Sequence, residues 1–435
     1  MSAQIARIAL HASPSETREL RINEMPKLKN GHIPQVLATE YASYRDTVTR
    51  ELSLKLADVE ERSGSRPLVL YDPMAGTAPL LPLAERRGYT AQFNDLNSLH
   101  LYINAAKTLR SYRAFKNIGH NELLSIVCGI APGLDRCRRT ATEKWIEDSV
   151  LERLAHAWKR TTEQSKPIAV LTKAVLLLAV RNFSSFVRTK NPTWLKPGGL
   201  RSNVSAKEAF RPAIKRLDNF YQDAYANHGP VKGGYITLTD YDASRSGPEH
   251  EVDVVVTSPP FCNRVDWDRL YAPEHFFLSA VGVWHTRTEF LGTTAVDKYR
   301  DFESDFEFVT KRSSYLRRFP KEVRERQIKN EQQSDYYVKY YTRYFGGLFR
   351  VFDMAVRALG NGNAGVYFVT QENVHRGLLI EIGKALAEFL SSQGLRSMPL
   401  DTWERHHLGL QNISRQHTLV APKQRECIWH AVQKS

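Results

Sequence analysis

Two short stretches of this chain hold residue types suited to chemistry on a flat, amino-bearing ring. In Val254-Val255-Val256-Thr257-Ser258-Pro259-Pro260-Phe261, a β-branched run ends in a proline turn where a parallel strand would stop. Two prolines fix φ and cannot donate from nitrogen, so the turn is stiff and offers a carbonyl acceptor, a serine hydroxyl and an aromatic face. Such a set can hold a nucleobase by its exocyclic amine. The second stretch, Asp72-Pro73-Met74-Ala75-Gly76-Thr77, is a small-residue loop between the buried run Leu68 to Tyr71 and the helical run Leu80 to Arg87.

These residues need a frame, and the flanking sequence supplies one. A short strand at Thr90 to Phe93, closed by Asn94-Asp95-Leu96-Asn97, completes a βαβ unit with a carboxylate at its second strand's end. Tyr235 to Thr239 and Val252 to Val256 read as two more core strands, separated by a polar loop with Asp240 and Asp242. Gly365 to Val369 and Glu426 to Val432 read as further strands, and Leu378 to Leu390 as an amphipathic helix. The expectation is an α/β protein with a mostly parallel, twisted sheet. Residues 1–110 form the N-terminal part of the core, 111–230 a helical insertion, 231–262 core strands, 263–345 a target-recognition region and 346–435 the C-terminal part of the core. Within the insertion, Leu151, Leu154, Ala155 and Trp158 keep helical spacing, Ile168 to Val180 reads as a buried helix, and Asn191 to Gly199 as a Pro- and Gly-rich loop.

The pair of motifs resembles the S-adenosylmethionine-dependent amino-methyltransferases: Asp72 to Thr77 is similar to their DPFxGSGT motif, and Thr257 to Phe261 to their [S/N/D]PP[Y/F] motif. The resemblance covers the core from about Gly31 to Ala106 and from Tyr235 to Val265. It implies a Rossmann-like class I methyltransferase core and S-adenosyl-L-methionine as cofactor. A serine before Pro-Pro-aromatic further implies a DNA cytosine-N4 methyltransferase that acts on a flipped base. By position, the resemblance assigns Asp72, Pro73, Ala75, Gly76 and Thr77 to cofactor binding, with the backbone around Ala75, Gly76 and Thr77 approaching the methionine part and Asp72 facing its amino group. It assigns Asp95 to the ribose hydroxyls and Asp242, or alternatively Asp240, to the adenine edge. Ser258, Pro259, Pro260 and Phe261 become the catalytic turn. The sequence departs from the pattern at Met74 and at Ala78-Pro79, and His32 to Val36 matches the N-terminal cofactor-closing motif only weakly. Cys262 follows the aromatic residue rather than a single proline, so a covalent cysteine mechanism is not expected.

The formal charge of +14 and a pI near 9.5 favour a polyanionic partner. Double-stranded DNA is the expected one, and a cognate restriction or defence protein a candidate second. Asn263, Arg264, Trp194, Lys196, Arg317 and Arg318 are candidate nucleic-acid contacts. Basic residues interleaved with tyrosines over Tyr336 to Tyr341 suit either base stacking or an amphipathic helix with a solvated face. Four scattered cysteines give neither a disulfide framework nor a metal cluster. With no leader pattern and no apolar span of about 20 residues, a cytoplasmic, non-membrane protein is expected. The alternatives left open are adenine-N6 methylation of DNA, guanine-N2 methylation of RNA, and a non-catalytic nucleic-acid-binding protein on the same fold.

Overall fold

The β-branched and aromatic runs of the sequence assemble into one eight-stranded sheet. The computed structural model of the chain describes residues 8–10, 46–64, 66–134, 145–188, 195–198, 204–226, 231–260, 262, 270–283, 291, 301–327, 331–360, 365–375, 378–405 and 424–433. Its strands are β1 (Ile8–Leu10), β2 (Val69–Asp72), β3 (Thr90–Asn94), β4 (Phe186–Arg188), β5 (Leu195–Pro197), β6 (Tyr235–Thr239), β7 (Val254–Thr257), β8 (Gly365–Gln371), β9 (Asn373–His375), β10 (Leu378–Ile380), β11 (Leu395–Arg405) and β12 (Gln424–Gln433). The main sheet has the order β1-β6-β3-β2-β7-β8-β12-β11. Strands β6, β3, β2, β7 and β8 run parallel, and β12 lies antiparallel between β8 and β11. The architecture is a mixed α/β fold with a mostly parallel sheet, compatible with a Rossmann-like fold.

Every residue of β7 and β8 is buried, as expected for central parallel strands covered on both faces. Side-chain alternation divides them between two cores. Val254 and Val256 join Leu70, Ile236 and the helix Asp46–Arg62 through Leu52, Leu56 and Val59. Val255, Val366 and Phe368 join Phe345, Phe349 and Phe389 on the opposite face. Among the described residues, no helix is long and apolar enough to cross a membrane.

The segment between β3 and β6 is chiefly helical, with helices Leu109–Ile130, Asp148–Arg160, Lys166–Phe183 and Ala206–Tyr221 around a core of their own. Helix Ala272–Ala280, downstream of β7, packs into that same core through Phe277 and Leu278. The Pro- and Gly-rich stretch expected as a loop contributes strand β5, which pairs with β4; proline is tolerated there because Pro197 ends a strand of an isolated two-stranded ribbon. The first residues of the expected helix Leu378 to Leu390 form strand β10, and the helix itself spans Ile382–Ser392. Strand β11 had no sequence signal because Pro399 breaks its pattern, and its register shifts between Pro399 and Asp401. The expected boundary at 345/346 falls inside one continuous helix, Glu331–Arg357.

Candidate functional site

Because β6, β3, β2 and β7 are parallel neighbours, the loops after them emerge on one edge of the sheet. Register pairs Leu70 with Val254 and Tyr71 with Val255, so Asp72 and Thr257 close adjacent strands. The two motifs singled out in the sequence therefore flank one crevice at the carboxyl ends of the strands, where open α/β sheets bind ligands.

Side chains and backbone of neighbouring elements hold the loop after β2 at most of its residues. Asn94, the last residue of β3, donates from Nδ2 to the carbonyls of Pro73 (3.1 Å) and Tyr241 (3.1 Å), while its Oδ1 accepts from the Tyr241 amide (3.1 Å). The Ala75 amide donates to the Asn94 carbonyl at 2.8 Å. Asp95 Oδ2 accepts from the Gly76 amide at 2.8 Å, and its Oδ1 accepts from the Asn97 amide at 2.9 Å. Helix Ser98–Ala106 supplies Asn104, whose Nδ2 donates to the Gly76 carbonyl at 2.8 Å. Just past that helix, the Lys107 ammonium donates to the carbonyls of Thr77 and Ala78. Gly76 (φ 53°) and Ala78 (φ 42°) both take the left-handed region. For Ala78 this costs about 1–2 kcal/mol, which the surrounding hydrogen bonds must offset.

Two carboxyl groups at this edge are driven apart in acidity. Asp72 is fully buried, and desolvation pushes its pKa up to about 8; the nearby Thr257 hydroxyl and the Met74 amide oppose that rise, and the charge of Asp95 adds to it. Its Oδ1 accepts from the Met74 amide at 3.1 Å. Oδ2 has no well-formed hydrogen bond, nor does Thr257 Oγ1, although the two groups are close enough to interact. Asp95, with its side chain one-fifth exposed, moves the other way: burial raises it, but His100, with Nδ1 3.1 Å from Oδ1, and the Asn97 and Gly76 amides bring it below the usual carboxylate value. At neutral pH Asp95 is charged and Asp72 is mostly protonated.

Of the two aspartates after β6, Asp240 Oδ2 accepts from Ser98 Oγ at 2.5 Å, at the start of the helix that follows β3. Asp242 is engaged within its own turn, accepting from Ser244 Oγ (2.6 Å) and lying 3.1 Å from Arg245 Nε.

At the proline turn, Ser258 and Pro260 are partly exposed and Pro259 is buried. The Pro260 carbonyl accepts from the Tyr344 hydroxyl at 2.6 Å. Cys262 is buried, and burial pushes its thiol well above the ordinary value, which leaves no thiolate for nucleophilic attack. Phe261, Asn263, Arg264, Trp194 and the segment around His32 lie outside the described residues. Lys196 is exposed on β5, in the two-stranded ribbon separate from the main sheet, and Arg317 and Arg318 are exposed on helix Ser314–Gln327. Tyr337, Tyr340, Tyr341 and Tyr344 are buried against the core, so this tyrosine run packs helix Glu331–Arg357 rather than offering a stacking surface.

Asn94, Asn104, Lys107 and Tyr344 were not singled out as site residues in the sequence. Asn94 had a visible signal as the last residue of a strand before a carboxylate. The tyrosines had one too: Tyr337, Tyr341 and Tyr344, with Leu348, recur at helical core spacing. Lys107 carried no signal, since only the fold brings it beneath the loop.

The residues present fit a polar cofactor carrying a cationic amine. A buried carboxyl oxygen of Asp72 without a well-formed hydrogen bond lies at the end of the strand, and a side chain added at Gly76 would meet nothing within 4 Å, so open space borders the loop's backbone. No protein-family model matches this sequence, and no curated protein matches it.

Proposed function

We propose that this chain is an S-adenosylmethionine-dependent methyltransferase acting on the exocyclic amine of a nucleobase, with the N4 amine of a flipped cytosine in DNA as its preferred target. The observation that carries this reading is the pairing of two loops at one strand edge: Asp72 to Thr77, with its unsatisfied buried carboxyl oxygen, beside Ser258 to Pro260 on the adjacent strand. The mostly parallel sheet supports a class I methyltransferase core for it.

When bound, the cofactor supplies an electrophilic methyl group on sulfonium. Asp72 would hold its amino group, and ionises as it does so because an adjacent cation lowers a carboxyl pKa. Gly76 gives backbone access, and Asp95 keeps the loop in shape through the Gly76 amide while its remaining lone pairs stay available to ribose hydroxyls. Asp240 or Asp242 would meet the adenine edge.

Ser258 Oγ and the Pro259 carbonyl would accept from the target amine. Two acceptors around that nitrogen favour a more pyramidal geometry and align its lone pair with the methyl group, which lowers the barrier by placement more than by acid or base strength. Phe261 would stack on the base, and transfer is direct because Cys262 is buried and protonated.

The deciding experiment incubates the protein with isotope-labelled S-adenosylmethionine and either DNA or tRNA, followed by nucleoside mass spectrometry. N4-methylcytosine from DNA is expected. N6-methyladenine or N2-methylguanine would replace the target while keeping the chemistry, and absence of cofactor binding in calorimetry would overturn the reading.

A further inference from the structure

The proline turn lacks the means to anchor itself. Residues 259 and 260 have no N–H, so an outside group that fixes this part of the turn's backbone must act on its carbonyls. Helix Glu331–Arg357 provides such a group: the buried Tyr344 hydroxyl donates to the Pro260 carbonyl at 2.6 Å. One helical turn earlier, Tyr340 lies against Cys262 and interacts with its thiol. Positions 340 and 344 share a helix face, so one face of one rigid element holds the residues on both sides of Phe261.

This grip constrains the chemistry. Fixing the Pro260 carbonyl restrains the backbone of the turn, and it occupies one of that oxygen's two lone pairs. Ser258 Oγ and the Pro259 carbonyl remain as acceptors for a ligand. The helix is itself well seated: Phe345 and Phe349 lie in the core, Asp305 pairs with Arg350, and a Cβ on Gly346 would come within 2.8 Å of the Asp305 carboxyl, so the helices approach closely there.

We infer that Tyr344 is a positioning residue for methyl transfer: it never touches the reacting atoms, but its hydroxyl sets the orientation of the turn that receives the target amine. The inference rests on the proposed function and adds to it a residue 84 positions from the turn.

Tyr344→Phe tests it, with Tyr337→Phe as a matched loss of a hydroxyl from the same helix. The expected result for Tyr344→Phe is a kcat at least about tenfold lower, because small misplacements of reacting groups carry penalties of that order. The cofactor Kd and the KM for DNA stay within about twofold, and Tyr337→Phe keeps its kcat. An unchanged kcat, or parallel losses in kcat and cofactor binding, would overturn the inference. Crystal structures of the wild type and Tyr344→Phe give a readout that needs no activity: a reoriented Pro260 carbonyl is expected, and an unmoved one would overturn the inference by itself. A wild type without transfer to any nucleobase would instead refute the functional reading.

Discussion

Asp72→Asn should make this protein more stable and less functional in the same step, and the stability gain should depend on pH. The substitution keeps the shape of the side chain and its acceptor for the Met74 amide, and it places an amide donor toward Thr257 Oγ1, which has no well-formed hydrogen bond. What it removes is an ionisable group whose pKa is about 8 in the fold against 3.8 for the free side chain. As pH rises through that window the unfolded chain loses its proton first, so the wild type loses stability by about 1.4 kcal/mol per pH unit from this group. The loss accumulates to about 4 kcal/mol at pH 7 and levels off above the folded-state pKa. Urea denaturation of both proteins at pH 5, 6, 7 and 8 measures it, since every other titrating group is common to both and cancels in the difference. The stability difference should move in the variant's favour by about 2–3 kcal/mol between pH 5 and 7. A difference flat across this range would show that Asp72 ionises normally and would refute the reasoning. In calorimetry the variant should bind S-adenosylmethionine at least about tenfold more weakly, because the charged partner of its amine is gone. Wild-type binding near neutral pH should release a proton, visible as a dependence of the binding enthalpy on the buffer.

Three further outcomes follow from other contacts in the fold. Ser258→Ala and Pro259→Ala should lose most methyl transfer while Cys262→Ala keeps a substantial share; equal losses in a labelled-methyl assay would contradict direct transfer. Lys107→Met should loosen the Thr77 and Ala78 carbonyls and weaken cofactor binding several-fold. Burial lowers Lys107 to about 7, so wild-type stability should gain on that variant as pH rises from about 7 toward 10.5, and an unchanging difference in urea midpoints would count against it. Arg181→Met strips the partner from buried Glu274 and should destabilise the protein by about 3–5 kcal/mol, read as a fall in thermal midpoint; a midpoint equal to wild type would show that the bridge does not secure helix Ala272–Ala280 to the insertion.

What could be read from the chain depended on how local each signal was. The run Val254 to Val256 announced a buried strand because a strand covered on both faces admits few other residue types, and the loops at Asp72 and Ser258 stood out because glycine permits turn conformations closed to other residues and proline fixes φ. Strand β11 escaped because it lies at the end of the sheet, where polar residues and Pro399 are tolerated. The tyrosine run was ambiguous as composition but not as spacing, since residues at helical intervals on one face mark a core contact.

The supports of the site were illegible for a different reason. Lys107 and Tyr344 reach the two loops across 30 and 84 residues of chain, and nothing near either residue records the carbonyl it holds. Asp95 shows the complementary limit: its place at a strand's end was plain, yet sequence could not show that both of its oxygens already accept backbone amides. The roles at this edge thus divide by environment rather than by residue type. Asp95, hydrogen-bonded and beside His100, stays ionised and shapes the loop, whereas Asp72 is desolvated, half-satisfied and mostly protonated at neutral pH, which is the environment the proposed role in holding the cofactor's amine calls for. Exchanging the two environments would exchange the two jobs, and for that reason the pH dependence of Asp72→Asn probes the site more directly than loss of activity alone.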